Sequence, residues 1–127
     1  MAGRARVWLA LAGVNGFMAV AFGAFAAHGI KDPTVQSLLH TGSQYQAVHA
    51  VAVLACLSLF QADNGPARWA GALFGLGALV FGGSLYILAL SGERLWGAVT
   101  PIGGLLLLAG WALVVWGAVS GKIVTKT

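Results

Sequence analysis

The sequence predicts an all-α integral membrane protein, a four-helix bundle with short loops in a single domain covering residues 1–127. Two observations carry that expectation. Apolar residues make up 59% of the 127 positions and charged residues only 8%, too little polar surface to cover a soluble fold. The apolar residues also fall into four runs separated by brief polar breaks, and a bilayer-crossing helix needs about 20 such residues. The expected spans are residues 7–27, 43–61, 67–90 and 97–119.

The first run, Val7 to Ala27, follows Arg4 and Arg6 and ends in Ala24-Phe25-Ala26-Ala27. Basic residues, an apolar stretch and small residues imitate a secretory signal. The run is long enough to cross the bilayer, so it reads as a retained first helix.

The second run, Tyr45 to Phe60, is the shortest, so its helix is expected to begin within Thr34 to Gln44. Asp32 suits a helix cap with Pro33 at the first position, and Val35, Leu38 and Leu39 fall on one side. This segment reads as an interfacial turn or short helix leading into the span, with Gly42 as the break. The third and fourth runs, Ala67 to Leu90 and Gly97 to Val119, are long enough as they stand.

An even number of crossings puts both termini on one side. That side collects Arg4, Arg6, Arg68, Lys122 and Lys126, and the other holds Lys31 and Arg94. The excess of Lys and Arg marks the cytoplasmic face, so both termini are expected in the cytoplasm. The formal charge of +4 forms no basic run and points to membrane topology rather than nucleic acid. Trp8, Trp69 and Trp116 fit one interfacial belt, Trp96 and Tyr45 the other. Cys56, the one cysteine, lies inside an apolar run and reads as a small buried residue.

Small residues recur at helical spacing: Ala12, Gly16, Ala19, Gly23 and Ala26 on the first helix, Gly71, Gly75, Ala78, Gly82 and Ala89 on the third, and Gly103, Gly110 and Gly117 on the fourth. Helices in lipid gain little by hiding apolar side chains from one another, so close backbone approach must supply much of their association. Gly16, Gly23, Gly75, Gly82, Gly103 and Gly110 are the expected packing positions of a tight left-handed bundle.

Polar groups inside a span need partners. Asn15, His49 and Ser84 lie within runs, and His28, His40, Gln44, Gln46, Tyr86 and Thr100 lie toward the non-cytoplasmic ends. Tyr45 and His49 stack at i, i+4. His40 and His49 fall half a revolution apart and do not share a ligand. Two helices could bring His28 and His49 to similar depth, which admits haem or copper, although the spacing matches no metal motif. Asp32, Asp63 and Glu93 all fall in loops, which weighs against proton-coupled transport. Gly82-Gly83-Ser84 lacks the strand-turn-helix setting of a hydrolytic serine and reads as a close helix crossing with a hydroxyl bond.

Four segments in order carry a family resemblance: Gly23-Ala24-Phe25-Ala26-Ala27-His28-Gly29, Tyr45-Gln46-Ala47-Val48-His49-Ala50, Gly82 through Gly92, and Thr100-Pro101-Ile102-Gly103-Gly104 with Gly110-Trp111. They resemble the small bacterial membrane proteins catalogued as domain of unknown function number 423, similar to the eukaryotic transmembrane protein 256 family. Where that pattern usually has glycine the chain has Ala26, and where it often has serine the chain has Gly83; both stay small. The resemblance implies a four-helix inner-membrane protein and no particular activity. It carries over His28, Tyr45, Gln46, His49, Ser84, Tyr86 and Thr100 as matched polar positions.

The expected function is non-enzymatic, with no cofactor and no catalytic or metal-ligating set. The bundle would bind a membrane protein partner or a small hydrophobic ligand through that polar cluster near its non-cytoplasmic face, with the lipid bilayer as its surroundings and a homo-oligomer as the other partner left open. Two alternatives stay open. One is a small homo-oligomeric channel or transporter lined by His49, and the other is a redox module holding haem or copper on His28 and His49.

Overall fold

A computed structural model describes residues 2–58 and 65–123, with the side chains of residues 2–5 and 58 outside the described set. Four helices make up almost all of it: α1 (Ala2–Gly29), α2 (Pro33–Ser58), α3 (Gly65–Ser91) and α4 (Leu95–Val119). Among the described residues, α1 over Arg6–Gly29, α3 and α4 are long and apolar enough to cross a membrane. Helix α2 is equally long, but Thr34, Gln36, Ser37, His40, Thr41, Ser43, Gln44 and Gln46 make its first half too polar to join them.

The sequence expectation for α2 needs correcting. A single helix runs from Pro33 without a break at Gly42, and residues 59–61 of the expected span lie outside the described residues. The start is as Asp32 and Pro33 suggest: the Asp32 carboxylate accepts from the backbone N–H groups of Thr34 at 2.9 Å and Val35 at 3.4 Å, satisfying donors that a helix start leaves free. Gly42 stays helical because α3 packs onto it. A Cβ there would lie 2.7 Å from the Tyr86 ring and 3.4 Å from the Gly82 carbonyl, so the missing side chain serves a contact that offsets its helix penalty of about 1 kcal/mol.

Neighbouring helices run antiparallel in a register fixed by side-chain contacts. Ala26 lies opposite Gln36, Ala19 opposite Ser43 and Asn15 opposite Gln46 between α1 and α2. Gly75 meets Val53 and Gly71 meets Cys56 between α2 and α3, and Gly103 meets Phe81 and Gly110 meets Phe74 between α3 and α4. Helix α3 is the hub, packing against all three others, whereas α4 packs its backbone against α3 alone.

The small-residue stripes are the packed faces. Ala12, Ala19 and Ala26 on α1, the five α3 positions, and Gly103, Gly110 and Gly117 on α4 are all buried. Among these glycines the closest approach to a neighbouring backbone is at Gly103, where a Cβ would stand 2.7 Å from the Phe81 Cα. Gly110 seats the Phe74 ring, Gly23 admits the Ser43 hydroxyl, Gly82 receives the Gln46 amide and Gly75 receives Leu11. Gly16 departs from expectation: a Cβ there would meet Ala50 at an ordinary 4.0 Å. Helix α3 ends at Gly92, whose φ of 73° lets its N–H reach back to the Leu88 carbonyl at 2.9 Å.

Trp69 and Trp116 are exposed at the end where α3 begins and α4 finishes, with Arg68 and Lys122 lying over their rings at 5.6 and 5.3 Å. Tyr45 does not join Trp96 in an outer belt. It stands nearer the middle of the bundle, its ring tilted on Phe81 at 4.8 Å.

Candidate functional site

The matched polar residues divide into three internal groups and one outlier. The most buried group links three helices. Backbone carbonyls only accept, so the Asn15 amide nitrogen must donate to the Leu11 and Gly75 carbonyls, each at 3.0 Å. Its oxygen therefore faces Gln46, whose Nε2 donates to it at 2.8 Å. The Gln46 Oε1 is then left to accept the Tyr86 hydroxyl at 2.6 Å. Asn15 and Gln46 are fully enclosed, Tyr86 nearly so, and Phe22 stacks on the Tyr86 ring at 3.9 Å. One directed chain thus joins α3 to α2 to α1.

The second group spans α2 and α4 across α3. The Trp111 indole can only donate, and it does so to His49 Nε2 at 3.0 Å. The Tyr45 carbonyl can only accept, so His49 Nδ1 carries the proton toward it at 2.7 Å. These partners select the neutral Nδ1–H tautomer. Phe74 lies between, its ring centroid 5.6 Å from His49 and 4.6 Å from Trp111.

In the third group Ser84 and Thr100 share a hydrogen bond of 2.7 Å between α3 and α4. Each hydroxyl also reaches a carbonyl of its own helix, Phe81 at 2.9 Å and Trp96 at 3.1 Å. Whichever hydroxyl donates across the gap leaves its neighbour to donate locally. The Ser84 pairing matches the close helix crossing expected of Gly82-Gly83-Ser84.

His28 stands apart, exposed at the C-terminal end of α1. The α1/α2 register sets it level with about residue 34, so some 15 residues of α2, roughly 22 Å at 1.5 Å per residue, separate it from His49. The expected similar depth of the two histidines is therefore corrected, and a haem or copper shared between them loses its geometry. His49 also has both ring nitrogens engaged.

Sequence reasoning left Asn15 and Trp111 out of the site, although each partners a residue within it. The signal for Asn15 was present, an amide in the middle of an apolar helix. That for Trp111 was not, because its bond to His49 joins residues 62 apart.

The expected ligand-binding cluster is thus an internal one, with Gln46, His49, Ser84 and Tyr86 buried and bonded within the bundle. Unpartnered polar groups lie instead on the outward face of α2. Ser37, His40, Gln44 and Tyr45 are exposed there, and neither the Gln44 amide nor the Tyr45 hydroxyl has a hydrogen-bond partner among the described residues.

Apolar helices tied together by internal hydrogen bonds and small-residue crossings define a helical membrane-protein bundle. The chain matches the family described as Protein of unknown function (DUF423) over residues 22–104, and it belongs to that family. It is 42% identical over 122 residues to the UPF0382 inner membrane protein YgdD of Escherichia coli K12, covering 92% of each chain. It is 40% identical over 118 residues to a UPF0382 membrane protein of Haemophilus influenzae, covering 91% of this chain and 95% of the relative. A UPF0382 membrane protein of Staphylococcus epidermidis is 38% identical over 113 residues, covering 87% and 93%. No solved structure matches the chain.

Proposed function

We propose that this chain is a non-enzymatic, multi-pass protein of the bacterial inner membrane that acts by binding another membrane helix along the outward face of α2. In this reading α2 is the fourth span and both termini lie in the cytoplasm. Arg6, Arg68 and Lys122 stand at the end of the bundle that holds the termini, against Lys31 and Arg94 at the other, which supports that orientation.

One observation supports the binding face: the Gln44 amide is exposed, and with α2 as a span it falls at hydrocarbon depth. The α1 register puts the middle of Val7 to Ala27 opposite residue 45 of α2, and the α3 register puts the middle of Trp69 to Leu90 opposite residue 48. Gln44 therefore sits within roughly 7 Å of the midplane. Lipid offers an amide no hydrogen bond there, and each unsatisfied group costs several kcal/mol. A partner helix with a polar side chain at that depth removes the cost.

A photo-cross-linking residue placed at Gln44 tests the face in native membranes. A discrete protein adduct is expected there, and none from the same residue at Leu105, a lipid-facing position on α4. Absence of any adduct, together with rapid modification of Gln44→Cys by a water-soluble maleimide, would overturn the reading in favour of a water-lined path.

A further inference from the structure

We infer that the helix covering this face is α2 of a second copy of the same chain, the two packed in parallel about a two-fold axis along the membrane normal. This inference rests on the docking face proposed above and names its occupant.

Ser37, His40, Gln44, Ala47, Val51 and Leu54 succeed one another in alternating steps of three and four, and every one is exposed. That spacing is the seam along which two helices coil together left-handedly. The outward faces of the other helices differ in kind. Over Val7 to Ala27 of α1, and over the middle of α3 and α4, they present alanine, glycine and large apolar side chains such as Phe17, Val20, Leu76, Leu105, Leu108 and Val115. Trp111 is the polar exception, and its N–H is already bonded to His49.

Self-pairing follows from the chemistry of the seam. Around an axis along the normal, each residue meets its own copy at its own depth, so a polar seam residue must complement itself. A primary amide does: it both donates and accepts, so two facing Gln44 side chains close two N–H···O bonds. Serine, at Ser37, shares that capacity, and the seam carries no Asp, Glu, Lys or Arg to repel its copy. Ala47 supplies close approach below the amides. With Gln44, Tyr45, Val48 and His49 it lines an open groove on the helix surface, which receives a side chain of the opposing helix.

Cysteine cross-linking in native membranes tests the occupant. The buried Cys56 is replaced by alanine, and single cysteines are introduced by Gln44→Cys, Ala47→Cys and Val51→Cys, with Leu105→Cys on α4 as control. Mild oxidation or a short bis-maleimide is expected to give a product of twice the chain mass at the three seam positions and none at the control. Adding Gln44→Leu to the Val51→Cys chain is expected to lower that yield about tenfold, since interhelical hydrogen bonds in lipid reach that order. Gln44→Asn should retain more of it. An unchanged helical circular dichroism spectrum shows that the fold survives, because the Gln44 side chain bonds nothing within the bundle. Two results would overturn the inference. Seam positions that join only a different protein sink the self-pairing and leave the docking face standing, whereas seam cysteines that stay single and react with a water-soluble maleimide sink both.

Discussion

Helix α2 carries two polar faces, and they do opposite things. The inward face places Gln36, Ser43, Gln46 and His49 against partners on α1, α3 and α4. The outward face leaves Ser37, His40 and Gln44 without a hydrogen-bond partner among the described residues. Polar residues of the same types, a turn or two apart, thus hold the bundle together on one side and leave an unmet need on the other. In a membrane helix the chemistry of a side chain says little about its role until the direction it faces is known.

Substitutions that separate the two faces test this contrast, and the largest effect belongs to the inward one. Gln46→Leu leaves the Asn15 oxygen and the Tyr86 hydroxyl buried without partners. It is expected to cost about 2–4 kcal/mol of bundle stability, read by unfolding in bicelles or mixed micelles. Tyr86→Phe removes one donor from the end of the same chain and is expected to cost about 1–2 kcal/mol in the same assay. Trp111→Phe keeps the ring on Phe74 and loses only the bond to His49. A loss of about 0.6 kcal/mol is expected, the average for an interhelical hydrogen bond in a membrane protein. Gln44→Leu, on the outward face, should leave the stability of the isolated chain within about 0.5 kcal/mol of the parent. A loss as large as that of Gln46→Leu would erase the distinction between the faces.

The small-residue stripes could be read from the sequence because period alone defines them. Ala12, Ala19, Ala26, Gly103 and Gly110 fall where a buried face must fall, whatever the neighbour. The start of α2 was legible for a similar reason, since Asp32 and Pro33 act within one turn. The polar chain was not. Gln46 meets Asn15 31 positions away and Tyr86 40 positions away, and those meetings depend on the register between helices, which the packing of Gly23, Gly42 and Gly82 decides. The same register separates His28 from His49. Glycine in the middle of α2 looked like a break because helix propensity is a local quantity, and the Tyr86 ring filling the space beside it is not.

Because α4 packs its backbone against α3 alone among the described helices, its docking depends on a single strip of glycines and two side-chain bonds, Thr100 to Ser84 of α3 and Trp111 to His49 of α2. Helices α1 to α3 already bury the Asn15–Gln46–Tyr86 chain among themselves. During synthesis, which delivers the chain from its N-terminus, that three-helix platform can be complete before α4 leaves the ribosome. The last helix then needs only to slide its row of missing side chains onto a finished surface, so a bulky residue at Gly103 should spoil the final step of assembly while sparing the earlier ones.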